Sequence, residues 1–219
     1  MKKERQPSGT LALAPDSWTL HLAMTAVGIL ALLAASASSF TAPSPARVQR
    51  ALVSVRAKPP MAAGAGCTAA WVGGTVVAGA SGAVFVVRNL EPWYAGLRKP
   101  VWAPPNKIFA PVWTTLYAQI GLASAIVFAG SPVSRAPTAF AVYAVQAVLN
   151  LLWAPIFFGM HRLRLGFFVS LALLASAALT ALEFNAASGM LPALLLLPYL
   201  CWLAFATALN YSLWRKNLS

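Results

Sequence analysis

Acidic residues are almost missing from this 219-residue chain: Asp and Glu together number 4 against 16 Lys and Arg, and none lies between Ser17 and Leu90. Charged residues of both signs make up only 9%. A soluble domain carries about 25%, so an ordinary water-soluble globule is excluded. The formal surplus of +12 is spread between apolar runs rather than gathered in a block or stripe. That placement favours a membrane protein and argues against a nucleic-acid-binding one. Cysteine is scarce too: Cys67 and Cys201 stand far apart, without a C-x-x-C or a neighbouring His. Neither a disulfide framework nor a zinc site is suggested. Histidine is limited to His21, in the amino-terminal extension, and His161, in a loop, which leaves no imidazole within a span of the body to ligate haem iron. A cytochrome is therefore disfavoured, and no metal site is expected.

What the chain has instead is hydrophobicity: 59% of its residues are hydrophobic and its mean hydropathy is +0.71. Crossing roughly 30 Å of hydrocarbon takes about 20 largely apolar residues in a helix, because every backbone polar group must be satisfied internally. Five runs qualify, at about 69–90, 105–128, 136–158, 163–184 and 191–214. Breakers separate them: Pro100, Pro104 and Pro105 before the second, Gly130 to Pro132 after it, Gly159 after the third, and Ser188, Gly189 and Pro192 before the fifth. Short loops predict antiparallel neighbours. The expected fold is an all-α, five-helix transmembrane bundle over 67–219.

Residues 1–66 read as a targeting extension, signal-like over 1–39 and transit-like over 40–66. A basic start (Lys2, Lys3, Arg5) precedes an apolar run from Leu20 to Ala37 that ends in small residues followed by Phe40. Arg47, Arg50, Arg56 and Lys58 then stand among Ser, Pro and Ala. This is the bipartite arrangement of plastid-addressed proteins in algae with secondary plastids. Two alternatives stay open, a retained anchor helix with a solvated linker, and a mitochondrial address. The expected residence is an organellar membrane, with the plastid envelope ahead of the mitochondrial outer membrane or the endoplasmic reticulum.

Orientation follows from the loops. With five spans, Arg98, Lys99, Lys107, Arg162, Arg164, Arg215 and Lys216 share one side, while Arg135 alone holds the other once the extension is set aside. The positive-inside rule then directs the carboxyl terminus to the cytosolic side.

The spans lack ionisable groups at mid-depth, Glu183 and Arg88 lying near span ends. Proton-coupled transport usually places such groups there, so its absence counts against that class. Small residues recur as Gly74, Ala78 and Gly82 on the first span and as Ala141, Ala144 and Ala147 on the third, a helix seam or a dimer face. Pro111, Pro155 and Pro198 fall inside spans and predict kinks. Aromatic and amide side chains form single-faced stripes: Phe109, Trp113 and Tyr117; Gln146, Asn150, Trp153 and Phe157; Tyr199, Trp202, Ala206 and Asn210. A lipid-facing Gln and Asn would be costly, so their stripe faces the bundle or a cavity. Core packing and a ligand pocket both remain open on periodicity alone.

Trp93-Tyr94-Ala95-Gly96-Leu97-Arg98-Lys99-Pro100-Val101-Trp102-Ala103-Pro104-Pro105, then Pro111-Val112-Trp113-Thr114-Thr115-Leu116-Tyr117, Leu149-Asn150-Leu151-Leu152-Trp153-Ala154-Pro155, and Pro198-Tyr199 through Asn210-Tyr211 resemble the translocator protein family, also called the tryptophan-rich sensory or peripheral benzodiazepine receptor family. The resemblance implies a five-helix bundle, often a homodimer, whose cavity opens toward the cytosolic side under the first loop as a lid. It also implies binding of porphyrins or haem, of synthetic isoquinoline carboxamides and benzodiazepines, and in animals of cholesterol. Carried over by position, the ligand site comprises Tyr94, Trp113, Asn150, Trp202 and Ala206, with Trp102 and Pro105 bordering the lid. Arg98 and Lys99 are candidates to meet porphyrin propionates, or are topological charge only.

Trp113 and Trp202 align with the tryptophans on which some bacterial members depend for light-driven protoporphyrin breakdown, so they are the candidate catalytic pair. Leu209, Tyr211 and Arg215 fit a sterol-motif spacing, though Tyr211, Trp214, Arg215 and Lys216 equally make an interfacial belt, the favoured reading. The leading expectation is tetrapyrrole sequestration, transport or stress sensing, with porphyrin or haem as ligand and no obligatory cofactor. A sterol or lipid transporter or receptor using the same cavity is the alternative, and a light-dependent porphyrin-degrading oxidase the third. The expected partners are tetrapyrroles, the membrane and a second copy of the chain, with sterols or lipids under the alternative and no nucleic acid.

Overall fold

The computed structural model describes residues 65–91, 93–130 and 136–218. The targeting extension, apart from its last two residues, and Arg135 lie outside them. Every regular element among the described residues is helical. The helices are α1 (Ala65–Ala80), α2 (Ala83–Leu90), α3 (Phe109–Gly130), α4 (Pro137–Ala154), α5 (Leu163–Ser188) and α6 (Met190–Lys216). Short 3₁₀ turns occupy Tyr94–Gly96 and Asn106–Ile108, and a π turn covers Pro155–Gly159. Five stretches are long and apolar enough to cross a membrane: Thr68–Leu90, Asn106–Gly130, Pro137–Gly159, Leu163–Ser188 and Met190–Lys216. All five begin within one residue of the sequence expectation.

The first span is broken into two helices. At Ser81 the backbone N–H turns back to Ala78 O (3.2 Å) and the hydroxyl donates to the same carbonyl (2.6 Å), which tightens the chain between α1 and α2. The break coincides with close packing, since a Cβ on the buried Gly82 would lie 3.0 Å from Ala154 Cβ.

The three prolines act differently from one another. Pro111 occupies the first turn of α3, where N–H groups lack intrahelical partners in any case, so the expected kink there is not required. Pro155 opens the π turn, with Met160 N–H reaching Pro155 O at 2.8 Å. Pro198 lies within α6 on its exposed face.

Packing arranges the spans as an incomplete ring: α1 against α3, α3 against α6, α6 against α5 and α5 against α4, with α4 barely returning to α1. Small residues and hydroxyls permit the close pairs. Gly121 of α3 lets Val72 and Thr75 of α1 approach, and Trp71 Nε1 donates to the buried Ser124 Oγ at 2.7 Å. The main core joins Leu116, Ile120, Ala123 and Val127 to Leu173, Ala177, Ala181 and Phe184 and to Leu196, Tyr199, Leu200 and Leu203. A second cluster, of Tyr94, Phe157, Phe158, Leu209 and Leu213, seals the end where the first loop folds over. Ala141 and Ala144 are exposed on the outside, whereas Gly74 and Ala78 face a cleft toward α4.

Candidate functional site

The incomplete ring encloses a cavity of about 280 Å³ beneath the loop joining α2 to α3. Helical spacing explains its wall. Phe109, Trp113 and Tyr117 recur every four residues on α3 and all reach the cavity; from the third span Asn150, Trp153 and Phe157 do so, and from α6 Ala206, Leu209, Asn210 and Leu213. Gln146, the first residue of the third-span stripe, points instead to the cleft between α1 and α4. Among the described residues that line the cavity none carries a charged side chain, and no group of His, Cys, Asp and Glu is placed to hold a metal.

At the floor, four side chains from three spans converge. Tyr117 Oη donates to Asn150 Oδ1 (3.0 Å), Asn150 Nδ2 donates to Tyr199 Oη (2.8 Å), and the Gln146 amide lies 2.5 Å from the same phenol. Tyr199 is 1% exposed, so this network is the means by which its oxygen is satisfied. Tyr117 also stacks on Trp113, with ring centroids 5.4 Å apart.

The lid is fastened at three points. At its root, Trp93 stacks on His161 (4.2 Å, 17°), and His161 Nε2 lies 3.0 Å from Asn89 Oδ1. Asn89 Nδ2 is spent on Phe85 O, so the imidazole N–H is the donor in that pair. Next, Tyr94 is buried against Phe157 and Phe158. Burial pushes its phenol pKa up, which keeps this part of the wall neutral. Finally, Asn217 at the end of α6 grips the lid backbone: Arg98 N–H donates to Asn217 Oδ1 and Asn217 Nδ2 donates to Arg98 O, both at 3.0 Å. Replacing Asn217 with alanine removes both bonds without touching the cavity wall. Roughly tenfold faster deuterium exchange at the Arg98 amide is the expected result, read by exchange mass spectrometry over the lid.

Of the residues expected at the site, Tyr94, Trp113, Asn150 and Ala206 line the cavity. Trp202 does not. It stands behind Trp113 (6.5 Å, 89°) and packs on Phe109 and Phe205, its indole N–H buried without a protein partner. Trp102 sits in the lid against Phe205, and Pro105 is exposed where the lid enters the Asn106–Ile108 turn. Arg98 is exposed; Lys99 folds back over the Tyr94 ring (4.6 Å) and donates to Ala95 O, so neither lines the cavity.

Leu209, Tyr211 and Arg215 do not form one surface. Leu209 faces the cavity, Tyr211 packs on Phe167 and Trp214, and Arg215 is exposed. That arrangement fits the interfacial belt, in which Arg164 also lies over Trp214 (5.9 Å).

Two features escaped the sequence reading. The π turn brings both Phe157 and Phe158 to the cavity, where a regular helix would present one; Pro155 is the signal that could have indicated it. Asn217 as a lid clamp carries no local signal, since its partner lies 119 residues away.

The profile of the TspO/MBR family matches residues 67–215. The chain is 42% identical over 127 residues to the translocator protein of Homo sapiens, which covers 57% of this chain and 75% of that protein. It is 40% identical over 141 residues to protein CrtK of Rhodobacter capsulatus (64% and 86%). It is 36% identical over 148 residues to the tryptophan-rich protein TspO of Chlorobaculum tepidum (67% and 92%).

Proposed function

This chain belongs to the TspO/MBR family as a multi-pass membrane protein, and from that premise we propose that it binds a tetrapyrrole in the cavity beneath its lid. The observation that carries this reading is the chemistry of the wall: aromatic planes (Phe109, Trp113, Tyr117, Trp153, Phe157), isolated amides (Asn106, Asn150, Asn210) and no charged side chain among the described lining residues. A porphyrin is a flat apolar plate with a few polar atoms in its ring and acids at its edge. Indole and phenol rings suit its faces, and amides suit its polar atoms. Two such groups lack protein partners, Trp153 Nε1 as donor and Asn210 Oδ1 as acceptor.

The propionates would lie toward the lid, where Arg98, Lys99 and Lys107 stand. Clustering of these with Arg162, Arg164, Arg215 and Lys216 directs the lid and the carboxyl terminus to the cytosolic side. A cavity of about 280 Å³ falls just below the range for small-molecule sites, so a tetrapyrrole enters with the lid displaced.

The test is a dark titration of the full chain in detergent with protoporphyrin IX, followed by tryptophan quenching. Saturable quenching that weakens roughly tenfold or more in Trp113→Leu is expected, because an indole face is lost from the wall. Equal affinity in the variant would reject the site. With no imidazole or thiolate among the described residues lining the cavity, haem is expected to bind within about threefold of metal-free protoporphyrin. A Soret spectrum of six-coordinate, imidazole-ligated haem would contradict this.

A further inference from the structure

A second cavity lies where the ring of spans fails to close. It occupies about 320 Å³ between α1 and α4, walled by Ala70, Gly74 and Ala78 on one side and Tyr143, Gln146 and Ala147 on the other. It meets the lidded cavity at Tyr117 and Asn150, which line both. The Tyr117 ring is the partition: Gly79 of α1 lies flat over it, so close that a Cβ there would stand 2.6 Å from the ring carbons. Ala70, Gly74 and Ala78 are exposed although they line the cleft, so it opens sideways, toward the bilayer.

Proton counting at the floor assigns a polar group to this cleft. Tyr199 has one O–H and is fully enclosed, yet it stands against two amides, Asn150 and Gln146. The Asn150 oxygen already accepts from Tyr117. The Tyr199 proton therefore goes to the Gln146 oxygen, and the hydrogen-bond network, not the shape of the amide, decides which end of Gln146 faces the phenol. The opposite choice, turning Asn150 instead, would strip Tyr117 of its acceptor. With Gln146 so oriented, its two N–H groups are left over from the network on a residue that is 3% exposed and lines the cleft. Two other donor residues lining the cleft are already used, Trp71 Nε1 on Ser124 and Thr75 Oγ1 on Trp71 O.

We propose that the cleft between α1 and α4 is a second binding site, for a membrane-dissolved apolar molecule bearing one hydroxyl or carbonyl oxygen, to which the Gln146 amide donates. The small residues Ala70, Gly74 and Ala78 on one wall and Ala147 on the other leave room for a hydrocarbon body, and one buried donor at the bottom selects for an acceptor oxygen over plain hydrocarbon. The site is separate from the tetrapyrrole reading and stands whether or not porphyrin binds.

The test uses the full chain in phosphatidylcholine nanodiscs and a diazirine-bearing cholesterol analogue, with adducts mapped by mass spectrometry. Saturable labelling of residues 70–79 and 143–151 is expected. Excess cholesterol or oleic acid should compete, and whichever competes better identifies the source of the oxygen. Squalane, which has no oxygen, should not compete; equal competition by squalane would overturn the role of Gln146. Gly74→Leu grows into open space, since a Cβ there meets nothing within 4 Å, and is expected to abolish labelling while leaving protoporphyrin affinity unchanged. Gln146→Met is expected to weaken labelling roughly tenfold, the loss of one hydrogen bond. Undiminished labelling in Gly74→Leu would reject the site. So would a cleft that takes no label but whose filling shifts the monomer–dimer ratio, because its occupant would then be a second copy of the chain.

Discussion

Asn150→Leu is expected to lower the thermal midpoint of the protein and to weaken protoporphyrin binding roughly tenfold or more, although leucine has the same branched arrangement of side-chain heavy atoms as asparagine. The amide is the central member of the floor network. Its oxygen takes the Tyr117 proton at 3.0 Å and its nitrogen reaches Tyr199 at 2.8 Å. Leucine leaves Tyr117 with an enclosed hydroxyl and no acceptor, and Tyr199 with one amide instead of two. Each lost bond is worth about 0.5–1.5 kcal/mol, and bonds between membrane helices average nearer ~0.6 kcal/mol, so the combined cost is about 1–3 kcal/mol. Binding suffers twice. The second N–H of Asn150, on the cavity wall, is lost to the ligand, and the Tyr117 ring is freed from the position in which it stacks on Trp113. Differential scanning fluorimetry and the dark porphyrin titration read the two effects separately. An unchanged midpoint together with unchanged affinity would show that the network supports neither the bundle nor the site.

Gly121→Leu should detach the first span. A Cβ on Gly121 would stand 2.9 Å from Val72 Cα and 3.2 Å from Thr75 Cβ. The first of these is backbone and cannot swing aside, so α1 must move off α3. Moving it breaks the 2.7 Å bond from Trp71 Nε1 to Ser124 Oγ and the stacking of Trp71 on Phe128 at 4.9 Å. Overpacking costs about 1–3 kcal/mol in a well-packed core, and here it falls on the interface that holds α1, since α1 scarcely touches α4. The expected outcome is a lower thermal midpoint and faster proteolysis within 65–90 in detergent. Gly74→Leu provides the matched control. It adds the same side chain to α1 itself but into open space, so its stability is expected to stay within about 0.5 kcal/mol of wild type. Equal destabilisation by both would mean that leucine perturbs the spans by bulk alone and not by position.

Much of the architecture was written in the chain itself. A membrane leaves the backbone few options, so runs of about 20 apolar residues bounded by Pro and Gly locate the spans, and the structure finds them within a few residues: 69–90 against Thr68–Leu90, for example, and 163–184 against Leu163–Ser188. Helical periodicity also identified faces. Phe109, Trp113 and Tyr117 share one because they lie four residues apart, and all three line the cavity.

Periodicity says which residues of one helix look the same way, but not how far that helix is rotated against its neighbours. That rotation is set by where Gly121, Gly79 and Gly82 allow close approach, and it belongs to the tertiary structure. It placed Trp113 on the cavity and Trp202 behind it, though the two read as equivalent in the sequence. It left Gln146 on the α1–α4 cleft alone, while Asn150, one helical turn on in the same stripe, lines both cavities. It left the ring open between α1 and α4, and it brought Asn217 to the Arg98 backbone across 119 residues. Span number and the apolar faces follow from local chemistry that each helix carries alone; the lid clamp, the partition at Tyr117 and the open seam depend on distant segments meeting, which only the packed bundle decides.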